Sequence, residues 1–483
     1  HDLMMEQDSR PDLVVGASGY IGTNLVEMLV TEGRPVRAAS RNIEVLQGRG
    51  WHGVEIVAAD ALDPESLDAA LQGVDTAYYL VHSMAAGKSF PEIDAVAARN
   101  FAEAAARQQV RRIVYLGGLT PEQPVSEHLQ SRQETGDILR QGSVPVTELR
   151  AGMIIGPGSA AWEVIRDLVN HLPVMVTPRW VFSRSTPIAL GNLLRYLVDV
   201  PRLEETAGET YDVGGPDTLT YAEIMRRYGN LVGKKPLIIP VPVLTPRLSS
   251  YWLRLVTTVP TNIARALIDG LSQDVIASDE RLAELLPQEL MNFDEAAADA
   301  LNAERQHAVP AHWVETAETC ETFRPEYSFY AKKESGSALT TATSASLWSV
   351  ICEVGKDGDY FYAQAQWWLR RAMDWMIGGP SMRRRRRHPT DHRIGDVIDA
   401  WRVIALEPEN RLTLLMEMRA PGAGVLGFNI DDEDEQRRVT VRAFWHPAGA
   451  WGLIYWYATW PIHNLLFRGM ARTIVRRAEL LES

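Results

Sequence analysis

Cysteine is almost missing from this chain: Cys320 and Cys352 are its only two. That count excludes a disulfide framework and a cysteine-rich metal site. Basic residues are in deficit, 49 Lys and Arg against 62 Asp and Glu, for a formal net charge of −13. Phosphate backbones repel such a surface, so a general nucleic-acid binder is excluded, while an anionic cofactor held by a local patch is not. No charged-then-apolar leader opens the sequence, and a reducing, cytoplasmic compartment is expected. Disorder is excluded as well, because 46% of the residues are hydrophobic and only 23% charged. With 483 residues, more than one core is the expectation.

What is present first is a series of short apolar runs, at residues 12–17, 35–39, 54–58, 76–81, 112–116 and 145–149. Runs of this length read as buried parallel strands. Helical stretches separate them, clearest at residues 64–71 and 91–109. The alternation predicts an α/β fold, a Rossmann-type doubly wound parallel sheet. After Gly156-Pro157-Gly158 the texture changes to longer helices and irregular links, which fits a small cap over about residues 160–331. An apolar stretch at 251–275 is expected to be helical on either side of Pro260.

Residues 332–345 are mostly Lys, Ser, Thr, Gly and Ala. They have almost nothing to bury and read as a linker between a first domain at 9–331 and a second at 346–483. The second domain carries nine of the fourteen tryptophans. Strand-like alternation at 399–406, 412–418, 424–430 and 438–446, followed by an apolar ending at 454–481, describes an α+β helix-grip layout.

The sharpest motif is Gly16-Ala-Ser18-Gly19-Tyr20-Ile21-Gly22, after a strand and opening a helix. Gly16 permits a tight turn, Gly19 lets backbone approach a pyrophosphate, and Gly22 lets the helix pack on the strand. The helix N-terminus then faces the phosphates. An NAD site normally places an acidic residue at the end of the second strand. Here Ser40 and Arg41 stand instead, a hydroxyl and a fork of donors suited to a 2′-phosphate, against a plain solvated arginine. NADP(H) is therefore favoured over NAD(H). Asp60 ends the third strand, either to meet an adenine amino group or to cap a helix, and Ala61 follows it in the lining.

With those residues in view, Val15–Gly22, Asp60-Ala-Leu-Asp63, residues 74–81 and residues 112–117 resemble the extended and atypical short-chain dehydrogenases, closest to their NmrA-like and epimerase-like branches. Residues 149–158 and Thr186-Pro-Ile188 extend the resemblance to about residue 230. Residues 346–483 look like the uncharacterised domain appended to some bacterial members, similar to START-like folds. The resemblance implies that Tyr20, Ile21, Leu80 and Gly117 also line the cofactor, and that Met153 lies in a loop passing the nicotinamide and the substrate.

The family's redox chemistry uses a Tyr–x3–Lys pair on the helix after the fifth strand, with a Ser or Thr at that strand's end. This chain departs from both. His128 and Arg132 stand in place of the pair, and Gly117 and Gly118 in place of the hydroxyl residue. Either His128 replaces the tyrosine as acid, with Arg132 holding ribose or phosphate, or the two form an i, i+4 surface pair on a protein that binds cofactor without turnover. Tyr78 and Tyr79 end the fourth strand, where alternation is expected to bury one of them. His82 beside the cofactor and Ser83 beside the substrate are candidate polar lining. Arg179 and Arg184 flank Trp180 as candidates for an anionic substrate group, or as ordinary exposed arginines.

In the tail, Trp401, Phe444, Trp445, Trp451 and Trp456 either line an apolar ligand cavity or form core. Residues 451–467 are apolar with few interruptions and are followed by Arg468, Arg472, Arg476 and Arg477. Burial against the sheet is favoured, with peripheral membrane contact as the alternative. Five arginines at 383–387 read as a solvated loop, the acidic run at 431–435 as a turn. His388 and His392 straddle Pro389, so no metal site is expected.

The leading expectation is an NADP(H)-binding oxidoreductase acting on a carbonyl or related group of a hydrophobic small molecule. A non-catalytic NADP(H) sensor and a lipid- or quinone-binding protein acting through the tail are the alternatives.

Overall fold

A computed structural model describes residues 10–41, 43–47, 49, 51–81, 90–121, 127–240, 273–308, 332–356, 359–368, 392, 397–398, 401–416, 422–447 and 449–483. The chain divides into two compact units, the first holding His1–Val169 and Pro173–Ala300, the second Asn170–Leu172 and Leu301–Ser483.

In the first unit, strands β1 (Asp12–Val15), β2 (Val36–Ser40), β3 (Val54–Ala58), β4 (Thr76–Tyr79), β5 (Arg112–Gly118), β6 (Val146–Ala151) and β7 (Thr210–Val213) form one sheet. Its order is β7-β6-β5-β4-β1-β2-β3, and every pairing is parallel. The helices between are α1 (Tyr20–Thr31), α2 (Ile43–Gln47), α3 (Pro64–Leu71), α4 (Phe90–Arg107) and α5 (Glu127–Arg140). Strand order reverses between β1 and β4, and the crevice at such a switch point is where doubly wound sheets take ligands.

Both faces of the sheet are covered, which is why its strands read as unbroken apolar runs. Val14, Tyr78, Val114 and Leu149 pack with Leu25, Val26 and Leu29 of α1 on one side. Leu13, Val15, Tyr79 and Ile113 pack with Leu67 of α3 and Phe101 of α4 on the other. Tyr78 and Tyr79 are consequently both buried, rather than one of them. Local signals start the helices where the chain needs them: Asp63 accepts from the Glu65 N–H and Pro64 opens α3. Of the expected helical stretch at 251–275, only residues 273–275 lie among the described residues.

In the second unit, Lys332–Thr340, Gln436–Pro447, Gly422–Glu433, Arg411–Met416, Trp401–Glu407 and Val397–Ile398 make, in that spatial order, a six-stranded sheet. Its pairings are antiparallel throughout. The 34-residue helix Gly449–Glu482 buries Trp456, Leu466, Phe467, Met470 and Ile474 in the same core as Val403, Leu414, Phe428 and Val441. A helix held by an antiparallel sheet is the expected α+β layout.

One expectation for the tail is corrected, and an alternative left open there is narrowed. Residues 332–345 are not a linker: Lys332–Thr340 is a nine-residue strand paired along its length with Gln436–Pro447. It has little to bury because its stability comes from backbone hydrogen bonds and from close approach to the long helix, where a Cβ on Gly336 would collide with the backbone of Phe467 and Arg468. Of the two readings left open for the five aromatics, core holds for three. Trp401, Trp445 and Trp456 are core, Phe444 packs on Ile404, Leu415 and Val425, and Trp451 is exposed. Phe444 and Trp445 are successive in a strand and so face opposite sides of the sheet.

The acidic run is a strand end plus a tight turn, with Asp434 at φ 51° and its flanks tied by Arg437–Asp432 and Arg438–Glu433 pairs. The arginine run and His388 lie outside the described residues. His392 is buried on the Cys352 carbonyl, 2.7 Å away. Among the described residues no helix is long and apolar enough to cross a membrane, and no group of acidic, Cys and His side chains is placed to hold a metal.

Candidate cofactor site

The turn from β1 to α1 leaves no freedom at Gly16 and Gly22. Gly16 sits at φ +85°, and a Cβ there would lie 2.6 Å from the Leu80 carbonyl oxygen. A Cβ on Gly22 would collide with Gly16 O and Ala17 Cα, so helix and turn are in direct backbone contact. Gly19 is the N-cap of α1, and no side chain caps it. An uncapped first turn preceded by a flexible glycine is an arrangement suited to a phosphate.

In front of that turn lies a cleft of about 200 Å³ lined by Gly16, Ser18, Gly19, Ser40, Arg41, Asp60, Ala61 and Leu80, together with Val15, Ala59, Leu62, Val81, Ile93 and Ala97. The first eight are residues that the sequence singles out. The other six are apolar or strand-end residues, and Ile93 and Ala97 come from α4, whose amphipathic pattern alone does not say which turn faces the crevice. Ser40 Oγ lies 3.4 Å from Ser18 Oγ, joining the end of β2 to the glycine turn. Arg41 is exposed at the rim and makes no hydrogen bond or ion pair among the described residues. Asp60 accepts from the Leu62 N–H at 2.9 Å, while Asp63 is the α3 cap.

Other expected residues lie elsewhere. Tyr20, Ile21 and Gly22 belong to the first turns of α1 and do not line the cleft. Gly117 does not line it either. A Cβ there would lie 2.7 Å from Glu148 Oε1, so its bareness makes room for a buried carboxylate. Glu148 pairs with Arg140 through Oε2 and with Arg150 through Oε1, the latter at 3.0 Å. His82 and Ser83 lie outside the described residues, and His128 is in α5 with its side chain outside them.

Arg132 turns Nη2 onto the Leu116 carbonyl at 2.8 Å, while its backbone carbonyl accepts from the Tyr115 hydroxyl at 2.9 Å. Burial pushes that phenol up to about 12. Among the described residues, Arg132 Nε is buried without a partner. Met153 is buried beside the end of β6. Arg179 is exposed, and Arg184 is taken up by Asp274 at 2.8 Å, so neither is drawn inward.

The NAD(P)H-binding domain family matches residues 16–157. A phosphate reductase of Streptomyces griseus, "(4-alkanoyl-5-oxo-2,5-dihydrofuran-3-yl)methyl phosphate reductase", is 31% identical over 231 residues, 46% of this chain and 74% of its own length. The chain belongs to the NAD(P)H-binding, atypical short-chain dehydrogenase-like reductases. A ceramide reductase of Caulobacter vibrioides is 26% identical over 236 residues, covering 47% of this chain and 73% of its own.

Among solved structures, an Escherichia coli NADPH-dependent quinone oxidoreductase aligns with TM-score 0.51 at 20% identity, over 60% of this chain and 100% of its own. Citrobacter triphenylmethane reductase aligns with TM-score 0.50 at 22% identity, over 60% and 99%. These two likenesses are of fold. Residues 332–470 match a protein family of unknown function, DUF2867.

Proposed function

We propose that this reductase-family chain takes NADPH in the β1/β4 crevice and reduces a carbonyl or related group of a hydrophobic small molecule. The observation that carries the cofactor choice is Arg41. It stands at the end of β2 with its guanidinium uncommitted, beside the Ser40–Ser18 hydroxyls, where an NAD site would carry a carboxylate. In this reading Ser40 and Arg41 take the 2′-phosphate, Ser18, Gly19 and the start of α1 take the pyrophosphate, and Asp60, Leu62, Ile93 and Ala97 flank the adenine. Bound NADPH supplies the hydride. Arg132, in the place of the family's lysine, keeps a positive charge at the sheet's carboxyl edge for ribose or an anionic substrate group. The apolar substrate class is supported by the ceramide reductase relative, and reduction by both curated reductases. The long helix held in an antiparallel sheet supports a START-like reading of the tail.

A second reading, a sensor that binds NADP(H) without turnover, is favoured by one observation. The place of the family's catalytic hydroxyl is filled by the Glu148 ion-pair cluster.

Calorimetric titration with NADPH and NADH, on the native chain and Arg41→Ala, tests the cofactor assignment. A charged hydrogen-bonding partner of a phosphate contributes about 1.5–3 kcal/mol, so the variant should lose roughly 10- to 150-fold in NADPH affinity and its preference over NADH. Equal binding of both cofactors by the native chain overturns the 2′-phosphate assignment. Oxidation of NADPH by a panel of ketones and quinones separates enzyme from sensor.

A further inference from the structure

The long helix Gly449–Glu482 has two faces of different character. Trp456, Leu466, Phe467, Met470 and Ile474 belong to the tail's core. The opposite face is read at steps of three and four residues, as Trp451, Ile454, Ala458, Pro461 and Leu465, all exposed. Trp451 is 74% exposed and Leu465 66%, and Trp460 and Ile462 beside the row are exposed as well. A surface helix ordinarily turns polar and charged side chains outward. Residues 449–467 contain no Asp, Glu, Lys or Arg, so this half of the helix is apolar on the side turned to water. A continuous exposed apolar row of this kind marks an interaction surface.

The same face continues into charge of one sign. At the next steps along it stand Arg468, Arg472 and Arg476, which are exposed and make no hydrogen bond or ion pair among the described residues. Arg477, off that line, is held by Asp359 at 2.7 Å. The acids that border the face are each held by a neighbour. Glu334 accepts from Trp460 Nε1 at 2.9 Å, Glu479 from the Thr340 hydroxyl at 2.7 Å and Glu482 from the Thr343 hydroxyl at 2.6 Å. The Tyr457 hydroxyl takes Lys332 Nζ at 3.1 Å. Two aromatic rings thus sit at the edge of the row with their polar tips tied to the strand Lys332–Thr340, the placement that suits a boundary between water and an apolar phase. The charge of the tail agrees: residues 332–483 carry 21 Lys and Arg against 18 Asp and Glu, in a chain of net charge −13.

We propose that this face of the long helix docks the tail on an anionic lipid bilayer, the apolar row bedded at the boundary of headgroups and acyl chains and Arg468, Arg472 and Arg476 on lipid phosphates. The helix lies along the surface rather than through it, because its other face is core and no helix among the described residues is long and apolar enough to cross. The arginines choose the occupant. A second copy laid parallel on this face would set arginine against arginine, and one laid antiparallel would set arginine against Trp451 and Ile454, with no acid in the row to meet either. A phosphate surface meets both halves of the face at once. This inference goes beyond the reductase reading and does not rest on it.

The test is co-sedimentation of the full chain with phosphatidylcholine vesicles, with and without phosphatidylglycerol. Native protein should bind the anionic vesicles, release as salt is raised, and bind pure phosphatidylcholine far more weakly. Each surface arginine is worth about fivefold, so Arg468→Gln, Arg472→Gln and Arg476→Gln together should weaken anionic-vesicle binding roughly 100-fold. Ile454→Glu with Leu465→Glu should weaken it at least tenfold. Lys356→Gln, elsewhere on the tail, should bind as the native chain does. All these positions are exposed, so thermal melts should stay near native.

No binding of the native chain to anionic vesicles overturns the proposal. So does equal binding to both kinds of vesicle, or native-like binding by the arginine and the glutamate variants. A native dimer in sedimentation equilibrium that Ile454→Glu with Leu465→Glu dissolves, without vesicle binding, also overturns it and gives the face to a second copy. The cofactor titration is unaffected by any of these results, so the reductase reading stands or falls separately.

Discussion

Glu148 and Gly117 occupy one space: the carboxylate Oε1 stands 2.7 Å from the point where a side chain on Gly117 would begin. Gly136 on α5 makes the same allowance on the other side, 2.7 Å from Oε2. Two bare positions, on a strand and on a helix, thus admit one buried acid, which Arg140 and Arg150 then hold. Restoring the family's serine at residue 117 should not create a catalytic hydroxyl. Gly117→Ser should destabilise the first unit by about 1–3 kcal/mol, the usual cost of overpacking, read as a lowered urea midpoint. A variant of native stability would show that Glu148 swings away freely.

The glycine turn separates folding from binding. A Cβ at Gly22 meets backbone that cannot move, so Gly22→Ala should cost several kcal/mol, roughly 2–4, and give little folded protein. At Gly19 the nearest atom to a Cβ is Gly16 O at 3.3 Å. Gly19→Ala should therefore fold and melt near the native temperature, yet weaken NADPH at least tenfold by blocking backbone approach to the pyrophosphate. Calorimetry beside thermal melts distinguishes the two effects, and equal NADPH affinity in Gly19→Ala would count against the cleft as the phosphate site.

How much was legible follows from what each position has to satisfy. Gly16 and Gly22 are dictated by local backbone geometry, and β1 or β5 by burial on both faces, so a linear reading finds them. The strand Lys332–Thr340 is invisible to such a reading because its partners are backbone groups more than 90 residues away and its one informative residue, Gly336, looks like linker glycine. Charge misleads elsewhere, since Arg184, a candidate for an anionic substrate group, is committed to Asp274 at the surface.

Gly336 itself gives a prediction for the tail. A methyl group there would meet the helix backbone at Phe467 and Arg468, so strand and helix must separate. Gly336→Ala should cost about 2–4 kcal/mol in the unfolding transition reported by the tail's tryptophans. A neighbouring exposed change in the same strand, Ser337→Ala, should stay within about 0.5 kcal/mol. Matching losses in the two would mean that the close approach is not what stabilises the strand.

Glu482 ties the end of the long helix to the start of Ser344–Ile351. Its Oε1 accepts from the Thr343 N–H at 2.8 Å and the Thr343 hydroxyl at 2.6 Å. Hydrogen bonds from Ser346 and Thr343 hold its carboxyl at about 2, below the ordinary 4.5. A lowered folded value means that the contact contributes fully above about pH 4.5 and is lost as pH falls towards 2. The group is fully exposed, so the effect is small and best read as a difference. Urea midpoints of native chain and Glu482→Gln should differ at pH 6 and converge by pH 2 to 3. A gap that stays constant across that range would mean that the carboxylate's charge is not what holds the helix end.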